Sequence, residues 1–525
     1  MAISRQAVKE FAGRQLDDHR WIKQVARERL MREVATLRVP PAFKTDPWLH
    51  QLACWWIGLH YPRFLFLLDM GLGKTKIISD LFTQLLREKR ARRALVGVPR
   101  VINIDSWADD LAVHSDLEPN LVSVEDIEGK RELLLNPTGD VTVVDFAGLH
   151  LALSAKGYNA KGKRALVRDD RLVRQAQRLY DFVGVDEIHK LSNKENLWFS
   201  IWRMLTKEAR YAYGSTGTLF GKDPLAAWAP FFLIDRGETL GENVGVFREA
   251  FFTAKFDQWK GQVWTYDKSK APVLNRMLQH RSLRYEEDEV LDLPKRVPRL
   301  RVVDMSEEQR GHYMRALEGL INSGGSLRDL EAPWVRMRQI TSGYLAWKDG
   351  TGDHVLRFKR NPKLDWLESK LEEMGDSKVV VCYDYTETGR MICERVKAMG
   401  LDYEWYYGGT RDQSASRRRF LDDPGCRVFV MNSQAGGTGN DGLQKVARYM
   451  IFYESPSNPI DRRQTEKRIH RPGQEQRSFI WDVVAQGTLD GGILAQIAEG
   501  VDVHKRVVDG KLPSRNFFLT QLPRG

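Results

Sequence analysis

A chain of 525 residues with 29% charged and 42% hydrophobic side chains is long enough for two or three domains, each with its own core, and too apolar to be disordered. No apolar run approaches the ~20 residues of a membrane span, and charges from Arg5 onward leave no visible secretory signal. Lys and Arg total 81 against 70 Asp and Glu, and the resulting +11 either suits a polyanionic partner or simply serves solubility.

Residues 1–40 set Val8, Phe11, Leu16, Trp21, Ile22, Val25, Leu30 and Val34 at helical spacing among charges, which predicts an arm of two or three amphipathic helices. Such an arm either packs on the body or contacts DNA through Arg20, Lys23, Arg27 and Arg29. Pro40-Pro41 ends it. Gln51 then opens a Trp-rich helix, Leu52 to Leu59, and its amide offers the donor and acceptor that recognition of adenine requires. Cys54, Cys382, Cys393 and Cys426 lack metal-ligand pairing and read as free thiols in a reducing cytoplasm.

Phe64 to Leu68 is an apolar run of the kind that fills a buried parallel strand, and Lys76 to Leu81 reads as helix. Between them stand Asp69, Met70, Gly71, Leu72, Gly73, Lys74 and Thr75. A strand, a glycine-rich turn and Gly-Lys-Thr opening a helix form the pattern of a phosphate-binding loop. Gly71 and Gly73 let backbone N–H groups approach phosphate oxygens, and the helix N-terminus adds positive potential. Lys74 reaches the β- and γ-phosphates, and the Thr75 hydroxyl ligates Mg²⁺, so the expected ligands are ATP and Mg²⁺. Leu68 stands where the general pattern has glycine.

Ala94–Pro99, Val141–Asp145 and Phe182–Val185 read as further strands separated by helices, hence a parallel sheet with its ligand at the carboxyl ends. The last of these delivers Asp186-Glu187-Ile188-His189. Asp186 is placed to hold Mg²⁺ and Glu187 to deprotonate an attacking water. Lys156 to Arg178 is basic, with Arg168, Arg171, Arg174 and Arg178 at three- and four-residue steps. If helical, these four form one stripe, either a solvated face or a phosphate-backbone contact. Tyr211 to Leu219 is another strand running into a hydroxyl-rich turn.

Gln51, Asp69–Thr75, Val98-Pro99 with Trp107, Asp186–His189 and Ser215–Thr218, in this order, resemble the Snf-two (Swi/Snf-type) family of helicase-like DNA translocases in helicase superfamily two. Leu219 stands where that family usually has proline, and Leu68-Asp69 alters its usual acidic pair. Residues 220–375 read as aromatic-rich and helical, and the resemblance makes them protrusions and an inter-lobe linker. A second alternating region follows, with strands Lys378–Tyr383, Arg427–Met431 and Tyr449–Tyr453 and a glycine-rich strand end, Asn432–Gly439. Gly439 to Gln444 is one residue longer than the family's corresponding turn. Arg468 and Arg471 sit three apart, so a helix would set both on one face, where guanidinium groups suit the charge growing on a γ-phosphate. Gln464, Arg468 and Arg471 match the family's arginine-finger motif.

The resemblance implies an α/β fold: two RecA-like parallel-sheet lobes with helical insertions and an N-terminal helical arm. The expected divisions are 1–40 for the arm, 41–235 for the first lobe, 236–360 for protrusions and linker, 361–490 for the second lobe and 491–525 for a closing brace. It implies an ATP-dependent motor that translocates on double-stranded DNA with weak sequence preference, hydrolysing ATP in the inter-lobe cleft. Glu187, Lys74, Arg468 and Arg471 are its catalytic set. Gln51, Asp69 to Thr75, Asp186 and Gln464 bind nucleotide, and Thr75 and Asp186 hold Mg²⁺. Replication, repair or transcription proteins are possible partners, a membrane is not, and a cytoplasmic, nucleoid-associated chain of bacterial or phage origin is expected. Two other readings stand beside it: a strand-separating or branch-migrating helicase on DNA or RNA, and a nucleotide-dependent scaffold for a replication or transcription complex.

Overall fold

Period-two burial builds the first sheet. Leu65, Leu95, Val144 and Val183 point into one apolar layer, and their neighbours Phe64, Phe66, Val96, Val143 and Phe182 point into the other. Strands covered on both faces read as near-continuous apolar runs, which is how the sequence presents them. The computed structural model describes residues 5–158, 163–217, 219, 223–257, 261–290, 294–322, 327–350, 352–410, 412–433, 442–471, 473–500 and 515–522. Thr218, most of the glycine-rich strand end (434–441) and Pro472 lie outside the described residues. The chain divides into two units, Met1–Leu291 and Asp292–Gly525.

The first unit holds seven strands, all parallel. Across the sheet they run Ser282–Tyr285, Arg63–Leu68, Tyr211–Ser215, Phe182–Val185, Ala94–Val98, Val141–Asp145 and Pro119–Val122. The strand that leads into the hydroxyl-rich turn is thus not at the edge: Tyr211–Ser215 separates the loop strand from the strand that ends at Asp186. The arm forms helices Arg5–Gly13 and Arg27–Val34 with a short 3₁₀ turn, Arg20–Gln24, between them. Ile22, Leu30 and Val34 are buried in the unit's core. Arg20 hydrogen-bonds Asp18 at 2.9 Å, Lys23 pairs with Glu289 at 2.8 Å and Arg27 with Asp46 at 2.8 Å. The arm therefore packs on the unit, and three of its four candidate DNA-contacting cations are engaged within it.

The basic segment differs from the single helical stripe expected of it. Ser154–Tyr158 and Arg164–Arg168 form an antiparallel hairpin, and only then does helix Asp170–Leu179 begin. The cause is local: the Asp169 side chain accepts hydrogen bonds from the backbone N–H groups of Arg171 and Leu172, so the helix starts after Arg168. Residues 220–375 are also less helical than expected. They contain the hairpins Phe252–Asp257 with Gly261–Tyr266 and Tyr344–Asp349 with Gly352–Arg357, and the strands Ser282–Tyr285 and Arg296–Val303. Alternating aromatic and β-branched residues, as in Gln262-Val263-Trp264-Thr265-Tyr266, favour strands there.

The second unit holds six parallel strands in the order Arg296–Val303, Ser478–Ala485, Ala447–Phe452, Lys378–Tyr383, Cys426–Asn432 and Asp402–Tyr406. Val379, Val381, Val428 and Val430 fill one face, and Val380, Cys382, Phe429 and Met431 the other. A further cluster joins Tyr313, Trp334 and Met337 to Phe517 and Phe518, so the last described segment packs on helices of the same unit. The Tyr313 hydroxyl donates to the Phe518 carbonyl at 2.8 Å. All four cysteines are buried and free of disulfides. Among the described residues no helix is long and apolar enough to cross a membrane.

Candidate phosphate-binding site

The loop strand Arg63–Leu68 passes into Asp69–Gly73, and helix Lys74–Arg87 starts at once. Gly71 and Gly73 both adopt left-handed backbone, with φ of 84° and 77°, which a side chain would strain. A Cβ on Gly73 would also lie 2.3 Å from Gln51 Nε2. Gln51 belongs to helix Leu49–His60, which begins three residues before the expected start. Its Oε1 accepts from Trp48 N at 2.9 Å and its Nε2 donates to the Leu72 carbonyl at 3.3 Å. A His50 ring nitrogen lies 2.9 Å from the same carbonyl. The loop is thus held in its turned form from below. Leu72 is buried in the apolar layer, so only its backbone can face a ligand. Asp69 accepts from Glu287 N at 3.3 Å, which ties the loop's first residue to the chain beyond the edge strand.

Strand order brings the remaining groups together. The turn after Tyr211–Ser215 runs between the loop and the Asp186-Glu187 pair. A Cβ on Gly217 would meet the Leu68 carbonyl at 3.2 Å, so glycine lets this turn approach the loop closely. Ser215 Oγ donates to Asp186 Oδ1 at 2.7 Å, and Trp107 Nε1 donates to Asp186 Oδ2 at 3.3 Å. Thr216 Oγ1 donates to Glu187 Oε2 at 3.0 Å. His189 Nδ1 lies 3.2 Å from that oxygen. Lys74 Nζ donates to the Leu68 carbonyl at 3.3 Å and lies 3.8 Å from Glu187 Oε1. Glu187 itself has φ of 47°, a left-handed conformation that costs a non-glycine residue ~1–2 kcal/mol and is here over-determined by these contacts.

The two carboxyls titrate in opposite directions. Burial, and then the neighbouring Glu187 charge, push Asp186 above the ordinary carboxylate range. Burial also opposes ionisation of Glu187, but Lys74 and the hydrogen bonds from His189 and Thr216 outweigh it and hold that carboxyl below its usual value. The donor set fits a triphosphate: left-handed glycines, the N-terminus of a fourteen-residue helix and a lysine at its first position. Thr75 and Asp186 would hold Mg²⁺. Among the described residues no group of three or more His, Cys, Asp or Glu could hold a metal ion.

In the second unit, Gln464 lies in helix Pro459–Glu466, but Arg468 and Arg471 do not share a helical face with it. The helix ends at Glu466 and tightens into three-residue turns: Arg468 N donates to Thr465 O at 3.0 Å and Ile469 N to Glu466 O at 3.2 Å. Two causes are visible. Ile469 is drawn fully into the core, and Gln474 Nε2 holds its carbonyl at 3.1 Å. Pro472 also disfavours helical backbone at Arg471. Arg468 is buried and Arg471 half-buried. Ser215, Thr216, His189 and Trp107 stood in recognised motifs without an assigned role; the hydroxyl-rich turn was the signal for the first two. Arg462 gave no signal. It donates to Asp482 Oδ2 at 2.9 Å and to Glu466 Oε1 at 2.7 Å, with its guanidinium 3.6 Å from the centre of the Phe452 ring.

Two all-parallel sheets, one ending in a Gly-Lys-Thr loop and an Asp-Glu pair, define a RecA-like, helicase-type fold. No family model matches the chain. Curated relatives align along most of it. "SWI/SNF-related matrix-associated actin-dependent regulator of chromatin subfamily A containing DEAD/H box 1 homolog" of Drosophila melanogaster is 23% identical over 508 residues, 84% of this chain and 58% of its own length. "Chromatin structure-remodeling complex subunit snf21" of Schizosaccharomyces pombe is 21% identical over 88% of this chain and 39% of its own. "ISWI chromatin-remodeling complex ATPase ISW1" of Saccharomyces cerevisiae is 24% identical over 93% and 44%. The chain therefore spans 39–58% of the length of these relatives. Among solved structures, the "Sulfolobus solfataricus SWI2/SNF2 ATPase core in complex with dsDNA" is 16% identical with a TM-score of 0.40, over 93% of this chain and 100% of that one. The Pyrococcus furiosus Hef helicase domain is 14% identical with a TM-score of 0.49, over 86% and 98%. With relatives of one kind along most of its length and the motifs in their order, the chain is similar to the Snf-two (Swi/Snf-type) family of helicase-like proteins.

Proposed function

We propose that the chain is an ATP-driven motor that moves along double-stranded DNA. The observation that carries this reading is the meeting of Lys74, Asp186 and Glu187 at the carboxyl ends of strands in one sheet. The loop amides from Gly71 to Lys74 hold the triphosphate of ATP, and Lys74 neutralises its outer phosphates. Mg²⁺, when bound by Thr75 and Asp186, supplies further charge neutralisation. Glu187 takes the proton of the attacking water, with Thr216 and His189 orienting its carboxylate. Gln51 reads the adenine edge. From the second unit, Gln464 joins the nucleotide contacts, and Arg468 and Arg471 offset charge that grows on the γ-phosphate.

Relatives named for chromatin remodelling favour duplex DNA as the track, and the surplus of +11 is compatible with it. The test is ATP turnover with duplex DNA, single-stranded DNA or RNA, paired with displacement of a triplex-forming strand. Duplex-stimulated turnover with triplex displacement is expected. Stimulation by single strands or RNA alone would overturn the reading in favour of a strand-separating helicase.

A further inference from the structure

The hairpin Ser154–Tyr158 with Arg164–Arg168 interrupts the sheet's strand–helix alternation and contributes no residue to the phosphate-binding site. Its register pairs Lys156 with Leu166 and Tyr158 with Arg164, so these four side chains share one face of the ribbon. All four are exposed, Tyr158 to 66%. The other face is small: Ala155, Gly157, Ala165 and Val167. Neither strand carries an acidic residue. The acidic pair that follows is already used, since Asp169 caps the next helix and Asp170 binds Arg168 at 2.6 Å. Among the described residues no carboxylate lies within ion-pair distance of Lys156 or Arg164. That next helix buries Leu172, Val173 and Ala176 and exposes Arg171, Arg174 and Arg178. Burying Tyr158 would stabilise the unit, so a ring left in solvent beside uncompensated cations is a surface awaiting a polyanion.

Resting on the motor reading above, we propose that this hairpin is an additional duplex-DNA contact, with Lys156 and Arg164 on phosphates and Tyr158 against the sugar edge. An antiparallel two-stranded ribbon is one of the elements a duplex groove admits. The described strands carry three cations but only one exposed aromatic ring, which favours backbone contact over the serial base stacking that single strands use.

The test measures binding of a fluorescent duplex by the full chain across a salt series, alongside ATP turnover without DNA. The double variant K156E/R164E should bind about tenfold more weakly near physiological salt. The slope of log affinity against log salt should fall by about 1.8, or ~0.9 for each phosphate no longer neutralised. Y158A should weaken binding with the slope unchanged. DNA-free turnover should match the unaltered chain in every variant, which also reports folding. Unaltered duplex affinity and slope in K156E/R164E overturn the hairpin's role on DNA while leaving the motor reading standing. A weakening confined to single-stranded DNA or RNA overturns it too. Should the unaltered chain bind no duplex, both proposals fall.

Discussion

In the first unit Lys74, Asp186 and Glu187 stand at the ends of strands in one sheet, whereas in the second unit Arg468 and Arg471 lie in a tight turn beyond a helix. The sheet fixes the first group. Once Tyr211–Ser215 pairs with both neighbouring strands, Ser215 and Thr216 must face Asp186 and Glu187, and little freedom remains. The second group is fixed by a buried Ile469 between its members and by the Gln474 amide beyond them, which holds two backbone carbonyls. Arg462, six residues before Arg468, carries the same guanidinium. It is instead locked to Asp482 and Glu466 in the interior of its own unit. Basic character alone therefore does not say which arginine serves a ligand.

The sharpest way to break this contrast is at Glu187. Glu187→Gln should keep ATP binding and lower turnover roughly a thousandfold, within the range of general-base catalysis, as read by steady-state hydrolysis beside equilibrium nucleotide binding. Normal hydrolysis in this variant would mean that water is activated elsewhere. Next come the arginines. Arg462→Ala removes a buried guanidinium that Asp482 and Glu466 share and leaves Asp482 without that partner, so it should lower the stability of the second unit by about 3 kcal/mol, seen as an earlier thermal transition. Arg471→Ala should leave that transition nearly unmoved and lower turnover alone. If both variants behave alike, the distinction between a holding arginine and a working one is wrong.

The same contrast explains what could be read in advance. An apolar run followed by Gly-Lys-Thr is contiguous, so strand, loop and helix all followed from sequence, as did the Asp-Glu pair after Phe182–Val185. The order of strands in space was not legible, because no local signal says that Tyr211–Ser215 inserts between the other two. The partners of Asp186 were hidden for that reason, Trp107 being 79 residues away in the chain. The expected helical face at Arg468 and Arg471 failed because spacing of three is compatible with a helix, while burial of Ile469 is a long-range matter. The hairpin at Ser154–Arg168 was hidden because its last residue, Arg168, continues the spacing of Arg171, Arg174 and Arg178, which do lie on the following helix. Strand pairing and the Asp169 cap decide it, and neither shows in charge alone.

A smaller effect lies beneath the phosphate loop. Lys76 and Asp80 pair at 2.8 Å on the buried side of its helix, and Lys76 also donates to the Thr45 carbonyl at 2.9 Å. Burial pushes the Asp80 carboxyl up to about 6, against the pull of Lys76. The folded state then binds a proton that the unfolded chain, with its ordinary value of 3.8, does not. Between pH 6 and 3.8 this group makes stability rise as pH falls, by roughly 2 kcal/mol across the window. In Asp80→Asn that contribution should vanish, so the difference between variant and unaltered chain in denaturant unfolding should change with pH over this interval. Parallel pH profiles would show the ion pair to be stronger than its burial allows.

The finest test returns to the strand ends. Ser215→Ala removes one donor to Asp186 Oδ1 and leaves the hydrogen bonds from Trp107 and from the Glu187 N–H in place. Loss of a hydrogen bond to a buried charged group costs about 1.5–3 kcal/mol when nothing replaces it, but the two remaining donors reduce that to roughly 1 kcal/mol. Because Asp186 is proposed to hold Mg²⁺ and not to touch the attacking water, the turnover defect should be partly recovered at high Mg²⁺. Glu187→Gln should show no such recovery. A Mg²⁺ titration of both variants separates the two carboxylates: equal rescue would mean that Asp186 and Glu187 share one task, and the opposite directions in which their surroundings push them would then have no functional counterpart.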